Sequence, residues 1–314
     1  MVNSAVVYRC FGEPLMTLQY EHSELGSLAA GNIRVKMRFA PVNASDLIPV
    51  TGAYRHRITL PATAGYEGVG VVTEASGDAV ALLGQRVLPL RGQGTWQQYV
   101  DCPAAFAVAV PTDIDDSLAA RAWINPMAAL LMLQHFPPAG KQVVVTAAGS
   151  DCAGFLAQWA RLSGATRVTG IYRSAIHADR LAANGITPLA DTATDAIQQA
   201  ARDAEVVYDA TGGALAALLL SAMPRHGQFV SYGLLSGQPF TLRQGQPAVH
   251  WFHIRNYLDT LPAAAWQQAF GTIWARLRHS PCAGVSLFGL PQWQDAVRFY
   301  QTAGRTTRPV LAMD

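Results

Sequence analysis

The spacing of apolar positions changes near residue 115. Before it, short apolar or alternating runs are separated by Gly and Pro: Ala5–Tyr8, Ile33–Phe39, Gly68–Thr73, Gln85–Leu90 and Thr95–Val100. Ile33–Phe39 is apolar at every second position, the pattern of a half-buried strand. These runs predict a β-rich first part. Beyond residue 115 the pattern becomes longer and helical. Asp116–Pro126 opens on cap-like residues and predicts a helix running to the proline. Strand Val143–Val145, helix Phe155–Leu162 and strand Val168–Tyr172 follow, then helix Ala178–Asn184 closed by Gly185. Helix Thr194–Arg202 and strands Glu205–Asp209 and Gly227–Gly233 continue the series. Such alternation predicts a parallel, doubly wound sheet. The last part predicts helices Pro262–His279 and Gln292–Ala303 and an apolar strand, Pro309–Met313. The chain contains no internal repeat.

Composition narrows the class. The chain has 314 residues, half of them apolar and 14% charged, which suits a compact protein with two cores rather than a disordered chain. A formal charge of +2 gives no footprint for nucleic acid or an anionic membrane. No apolar run approaches the length of a membrane-spanning helix, and Met1–Arg9 reads as a strand rather than a signal peptide. Cys10, Cys102, Cys152 and Cys282 stand far apart, without metal-type spacing. Scattered thiols fit a reducing, cytoplasmic setting in which most act as small buried hydrophobes.

The candidate chemistry centres on Thr146–Gly154, small residues placed between the strand Val143–Val145 and the helix Phe155–Leu162. Strand, small-residue turn and helix present backbone N–H groups and a helix N-terminus to a pyrophosphate. The next strand ends in Arg173, where an acidic residue would hold a ribose 2′-hydroxyl. An arginine there suits a 2′-phosphate, which points to NADPH. An ordinary βα turn without a ligand also has small residues, and Arg173 alone could be a solvated charge. The order of strand, turn, helix, strand and arginine favours the nucleotide. Asp151 adds a carboxylate that repels an anion unless it turns outward or caps the helix.

Several short motifs recur in an order that resembles the medium-chain dehydrogenase/reductase superfamily, closest to its zinc-independent trans-2-enoyl thioester reductases. They are Pro41–Asp46, Gly52–Tyr54, Gly65–Gly70, Gly94–Trp96, Ile124–Pro126, Tyr232–Gly233 and the final strand. The resemblance implies an α/β protein with a β-rich GroES-like catalytic domain, 1–115 and 255–314, and a Rossmann cofactor domain, 116–254. It implies NADPH as cofactor, a small-molecule substrate and a homodimer joined through the cofactor domain, with an edge strand in the Gly227–Tyr232 and Gly237–Leu242 region. It places Tyr54 as the catalytic residue. It places Asn43, Asn125, Gly149, Ser150, Asp151, Cys152, Arg173, Ser174, Tyr232, Gly233, Leu234, Tyr257, Leu258 and Arg308 around the cofactor.

Zinc enzymes of that superfamily carry Cys and His ligands where this chain has Asn43 and Tyr66, neither a usual zinc ligand. Without metal, a donor must stabilise the developing enolate oxygen, and Tyr54 has the chemistry for it. As a plain amphipathic aromatic on a loop lip it would have none. Arg55, His56 and Arg57 either attract an acidic substrate or form a solvated loop. The chain departs from the family at Met127-Ala128-Ala129, which lacks a hydroxyl, and at Leu258, where a family Trp stands. Those departures keep two other functions open: a quinone or enone oxidoreductase of the same superfamily, and a cofactor-binding protein with little catalysis.

Overall fold

A computed structural model describes residues 1–258 and 261–313. The chain sorts into two compact units. One is Met1–Ile124 with Pro262–Arg278 and Ala283–Asp314; the other is Asn125–Leu261 with His279–Cys282.

The first unit is mostly antiparallel. Val2–Tyr8 lies between Gln19–Glu24 and Ala62–Thr63 in a three-stranded sheet. In the seven-stranded sheet, the path is Gly284–Gly289, Thr307–Ala312, Asn32–Pro41, Val69–Ala75, Arg86–Pro89, Ala107–Ala109, with Tyr99–Pro103 also pairing to Asn32–Pro41. The last strand of the chain is therefore hydrogen-bonded to one of the first. Val6, Ile33, Val35, Val72, Val87, Trp96, Val297 and Leu311 share the core of this unit.

The alternation in Asn32–Pro41 holds for buried Ile33, Val35 and Met37 and exposed Lys36 and Arg38, but Arg34 is buried as well. Its guanidinium grips Asp101 through two hydrogen bonds of 2.8 Å, donates to Glu74 at 2.7 Å and to the Gly26 carbonyl at 2.8 Å. A buried charge is tolerated when its hydrogen bonds are satisfied in this way.

The second unit holds one six-stranded parallel sheet. Its strands are β1 (Gln142–Val145), β2 (Arg167–Tyr172), β3 (Thr187–Ala190), β4 (Val206–Asp209), β5 (Gln228–Ser231) and β6 (Ala248–Trp251), in the order β3-β2-β1-β4-β5-β6. Helices α1 (Asp151–Leu162), α2 (Ala178–Ala183), α3 (Thr194–Asp203) and α4 (Gly213–Ala222) connect them. The order reverses between β1 and β4, the point at which doubly wound sheets bind ligands. Val144, Ile171, Ile197, Val207, Leu219 and Phe229 form the core. At the helix Asp151–Leu162, Trp159 is buried and its indole N–H donates to Ser280 at 2.7 Å.

Three expectations change. The segment Asp116–Pro126 is not one helix. A short helix, Asp116–Ala119, ends and a new one, Ile124–His135, begins, so Pro126 lies in a first turn. A proline fits there because the N–H it lacks has no intrahelical partner in any case. The edge strand is β6, while β5 is paired on both sides and residues 237–242 form no strand. Of the four thiols only Cys102 is buried; Cys10 is exposed, and Cys152 and Cys282 are half-buried.

Candidate active site

The turn after β1 is tied down on both flanks. The N–H of Thr146 donates to the Tyr208 carbonyl at 3.0 Å and that of Ala148 to the Ile171 carbonyl at 2.9 Å. The Thr146 hydroxyl donates to Asp209 at 2.7 Å and accepts from the Ala210 N–H at 2.9 Å. Asp209 is fully buried at the end of β4 and also accepts from Thr211 N–H and Gly212 N–H. Burial raises its carboxyl above the usual range, against the pull of these bonds. Ala147 stands in the left-handed region at φ 51°, where a Cβ costs about 1 kcal/mol.

Ser150 is the N-cap of α1, its hydroxyl accepting from the Ala153 N–H at 3.4 Å. Asp151 is therefore the first helical residue, where the helix dipole favours a carboxylate. The Cys152 thiol lies 3.9 Å from the carbonyl of Asn125, the second residue of helix Ile124–His135. Gly149 packs closely against the His177 ring, which would have to shift to admit a Cβ there. Its carbonyl accepts from Arg180 Nη2 at 3.0 Å. Arg173 is exposed at the end of β2, followed by half-buried Ser174, whose carbonyl accepts from His177 N–H. Among the described residues, neither Arg173 nor Arg180 has a carboxylate partner.

The segment after β5 approaches this region through the backbone. Tyr232 N–H donates to the Asp209 carbonyl at 2.8 Å and Leu235 N–H to the Ala210 carbonyl at 2.9 Å. A Cβ on Gly233 would come within 2.9 Å of the Ala210 carbonyl oxygen, so the close packing depends on glycine. Leu234 is exposed. The Tyr232 hydroxyl is buried without a hydrogen-bond partner. Burial first, then the charges of Cys152 and Asp209, push that phenol well above its ordinary pKa. Tyr257 stacks on Phe252 at 5.0 Å and meets His135 at 4.3 Å in a tilted arrangement, between ring centroids, and Leu258 is buried. Backbone N–H groups at a helix N-terminus, two guanidiniums without carboxylates and an orphaned buried hydroxyl form a donor set that fits a phosphorylated dinucleotide.

In the first unit, Tyr54 is half-buried on a loop that Gly52 enters at φ 88°. Its carbonyl accepts from the Arg57 N–H at 2.9 Å, closing the short 3₁₀ turn Arg55–Arg57. The basic cluster is partly satisfied locally: Arg55 lies over the Phe11 ring at 5.9 Å, and Arg57 donates to His56 Nε2 at 3.2 Å.

Asn43 and Arg308 belong to a buried polar cluster with Asp46 and Glu67. The Asn43 N–H donates to Asp46 at 2.7 Å and its amide to Glu67 at 2.7 Å. Asp46 also accepts from Tyr66 N–H at 3.0 Å. Glu67 accepts from Ile124 N–H at 2.8 Å and Trp123 N–H at 3.2 Å, satisfying donors at the start of the next helix. Arg308 Nη1 donates to the Val42 carbonyl at 3.4 Å. Burial, and then the Glu67 charge, push Asp46 up to about 8. Burial pushes Glu67 up to about 7 against its hydrogen bonds and the Arg308 charge. Asp46 and Glu67 were not singled out in the sequence, although both lie within the motifs Pro41–Asp46 and Gly65–Gly70. A carboxylate in each of two short motifs of a chain with few charges, one of them Gly-rich, is the signal that marks them.

Comparison with known proteins places this geometry in a family. The GroES-like domain of alcohol dehydrogenases matches residues 29–112. Mitochondrial enoyl-[acyl-carrier-protein] reductase from Xenopus tropicalis is 30% identical over 255 residues, covering 76% of this chain and 71% of that protein. The Homo sapiens enzyme of the same name is 27% identical over 248 residues, covering 75% and 66%. The matched regions thus span about two thirds of these relatives' own length. A crystal structure from Bacillus thuringiensis, provisionally named an NADPH:quinone reductase, superposes with a TM-score of 0.93 at 30% identity over the whole of both chains. The chain belongs to the medium-chain dehydrogenase/reductase superfamily, close to its enoyl thioester reductases.

Proposed function

We propose that this NADPH-dependent oxidoreductase reduces a C=C bond conjugated to a carbonyl, with a trans-2-enoyl thioester as its substrate and no zinc in the reaction. The observation that supports a metal-free route is the bonding of Asn43. At a position where zinc relatives carry a ligand, its amide N–H is held 2.7 Å from Glu67 in a buried cluster. Tyr54, on its loop, supplies the donor that a metal would otherwise replace.

NADPH, when bound, supplies the hydride, which adds to the β-carbon. As the C=C electrons move toward the carbonyl oxygen, the Tyr54 phenol donates its hydrogen bond to that oxygen. The proton that completes the product at the α-carbon comes from this phenol directly or through a water. The turn Gly149–Cys152 would hold the diphosphate through N–H groups other than that of Ser150, which donates to the Ala147 carbonyl at 2.8 Å, and Arg173 with Ser174 would hold the 2′-phosphate. Asn125, Tyr232, Gly233, Leu234, Tyr257 and Leu258 would line the nicotinamide side, and Asn43 and Arg308 remain cofactor-side candidates that share a buried cluster with Asp46 and Glu67.

A quinone or enone substrate is the second reading, favoured by the full-length likeness to the Bacillus thuringiensis protein. NADPH oxidation against crotonyl-CoA, longer enoyl-CoAs, methyl vinyl ketone and a benzoquinone separates the two. Turnover of the thioesters is expected. Turnover of the quinone alone removes the enoyl reductase reading, and cofactor binding without turnover of any acceptor removes both.

The protein assembles as a homodimer through β6. This strand leaves one edge of the sheet unpaired, and Trp251 on it is 62% exposed and stacks on Phe240 at 5.3 Å. An exposed apolar edge is a surface that a second copy can pair with across a two-fold axis. Light scattering at micromolar concentration is expected to give twice the chain mass, and a monomer mass would reject the pairing.

A further inference from the structure

We propose that Arg180 is a second specificity-determining cation for the cofactor's 2′-phosphate, acting with Arg173. This role rests on the reading of the chain as an NADPH enzyme. Arg180 lies on α2, beyond the Arg173 strand end. One of its guanidinium N–H groups donates to the Gly149 carbonyl at 3.0 Å, in the turn that precedes α1. That single bond anchors a planar fork of five donors. Among the described residues no carboxylate engages the others.

The charge is held where an anion would meet it. The turn is tied to β2 through Ala148 N–H and the Ile171 carbonyl, so the phosphate turn and the Arg173 strand end sit side by side. Arg180 reaches the turn from the same flank as Arg173, because both belong to the β2–α2 connection and its helix. The guanidinium also offsets the partial negative charge of the Gly149 carbonyl that it binds. Arg173 is exposed, whereas Arg180 is half-buried and anchored. An anchored guanidinium loses less freedom on binding an anion than a free one, so each hydrogen bond it forms counts for more.

A purely structural Arg180 would act differently. Holding the Gly149 carbonyl shapes the whole turn, so its loss would weaken the diphosphate cradle for NADPH and NADH alike. A 2′-phosphate ligand affects only the phosphorylated cofactor. Binding of NADPH, NADH, adenosine 2′,5′-bisphosphate and 5′-AMP is measured by fluorescence or calorimetric titration on wild type, Arg173→Ala, Arg180→Met and Arg180→Lys. Arg180→Met removes the bond to the Gly149 carbonyl as well as the charge, so NADH and 5′-AMP report the loss of the turn contact, and NADPH and the bisphosphate are expected to weaken by about tenfold or more beyond it, the scale of a charge-assisted hydrogen bond. Arg180→Lys is expected to recover part of the loss, because it restores the charge without the fork. Equal weakening of all four ligands, or no weakening, overturns the proposal. If wild type itself binds NADH as tightly as NADPH, the cofactor reading falls. A wild type that prefers NADPH, with the preference lost in Arg173→Ala but kept in Arg180→Met, overturns the role of Arg180 alone.

Discussion

Replacing Tyr54 by Phe should lower the reduction rate by about 10²-fold or more while leaving the protein folded and its cofactor affinity close to wild type. The substitution keeps the ring and removes only the donor. Losing one donor at a developing oxyanion, or one general acid, has an effect of this size. Tyr54 is half-buried on a loop whose turn is closed by backbone bonds from the Arg57 and Arg55 N–H groups, so stability should change little. Its loop belongs to the β-rich unit, and the phosphate turn belongs to the other, which is why NADPH titration provides an independent control. The loss should fall on kcat more than on KM, since the bond to the oxygen strengthens as charge develops. Near wild-type turnover on the best substrate would make Tyr54 a packing aromatic and leave water or His56 as the proton source.

Much of the sheet was legible because its residues obey local rules. Val143–Val145, Val168–Tyr172 and the Val206–Tyr208 centre of Glu205–Asp209 are mostly apolar, as strands covered on both faces should be, and the structure places them as adjacent parallel strands. The phosphate turn was legible from its position between strand and helix, even though Ala147 occupies a left-handed position that glycine would fill more readily. Long-range pairing was not legible. Gly284–Gly289 and Ala248–Trp251 are short, partly exposed strands whose existence depends on the neighbours that hydrogen-bond them. Arg34 reads as the polar face of an alternating strand, and its burial is made tolerable by the carboxylates of Asp101 and Glu74, far along the chain, together with the Gly26 carbonyl. Asp46 and Glu67 were hidden for the same reason: each is surrounded by donors that the fold alone brings together.

The same pair sets the pH dependence of stability. Asp46 stands at about 8 and Glu67 at about 7 in the folded chain, both above their unfolded values. A carboxyl raised by folding stabilises the fold fully below its unfolded pKa and loses that contribution as pH climbs through the folded one. Between pH 6 and 9 the cluster therefore passes from two protonated carboxyls to two buried negative charges beside the Arg308 guanidinium. The wild-type protein should lose stability across that window, on the order of 3 kcal/mol after allowance for water entry and for Arg308. Glu67→Gln removes one titrating group while keeping shape. It also turns an amide N–H toward Asn43 or toward the Trp123 and Ile124 N–H groups, so the variant starts less stable at pH 6. The informative quantity is the slope: denaturant unfolding at pH 6, 7.5 and 9 should show the variant losing distinctly less than wild type as pH rises. Parallel profiles for the two proteins would show that the buried pair carries no proton in this range and that Arg308 balances both charges throughout.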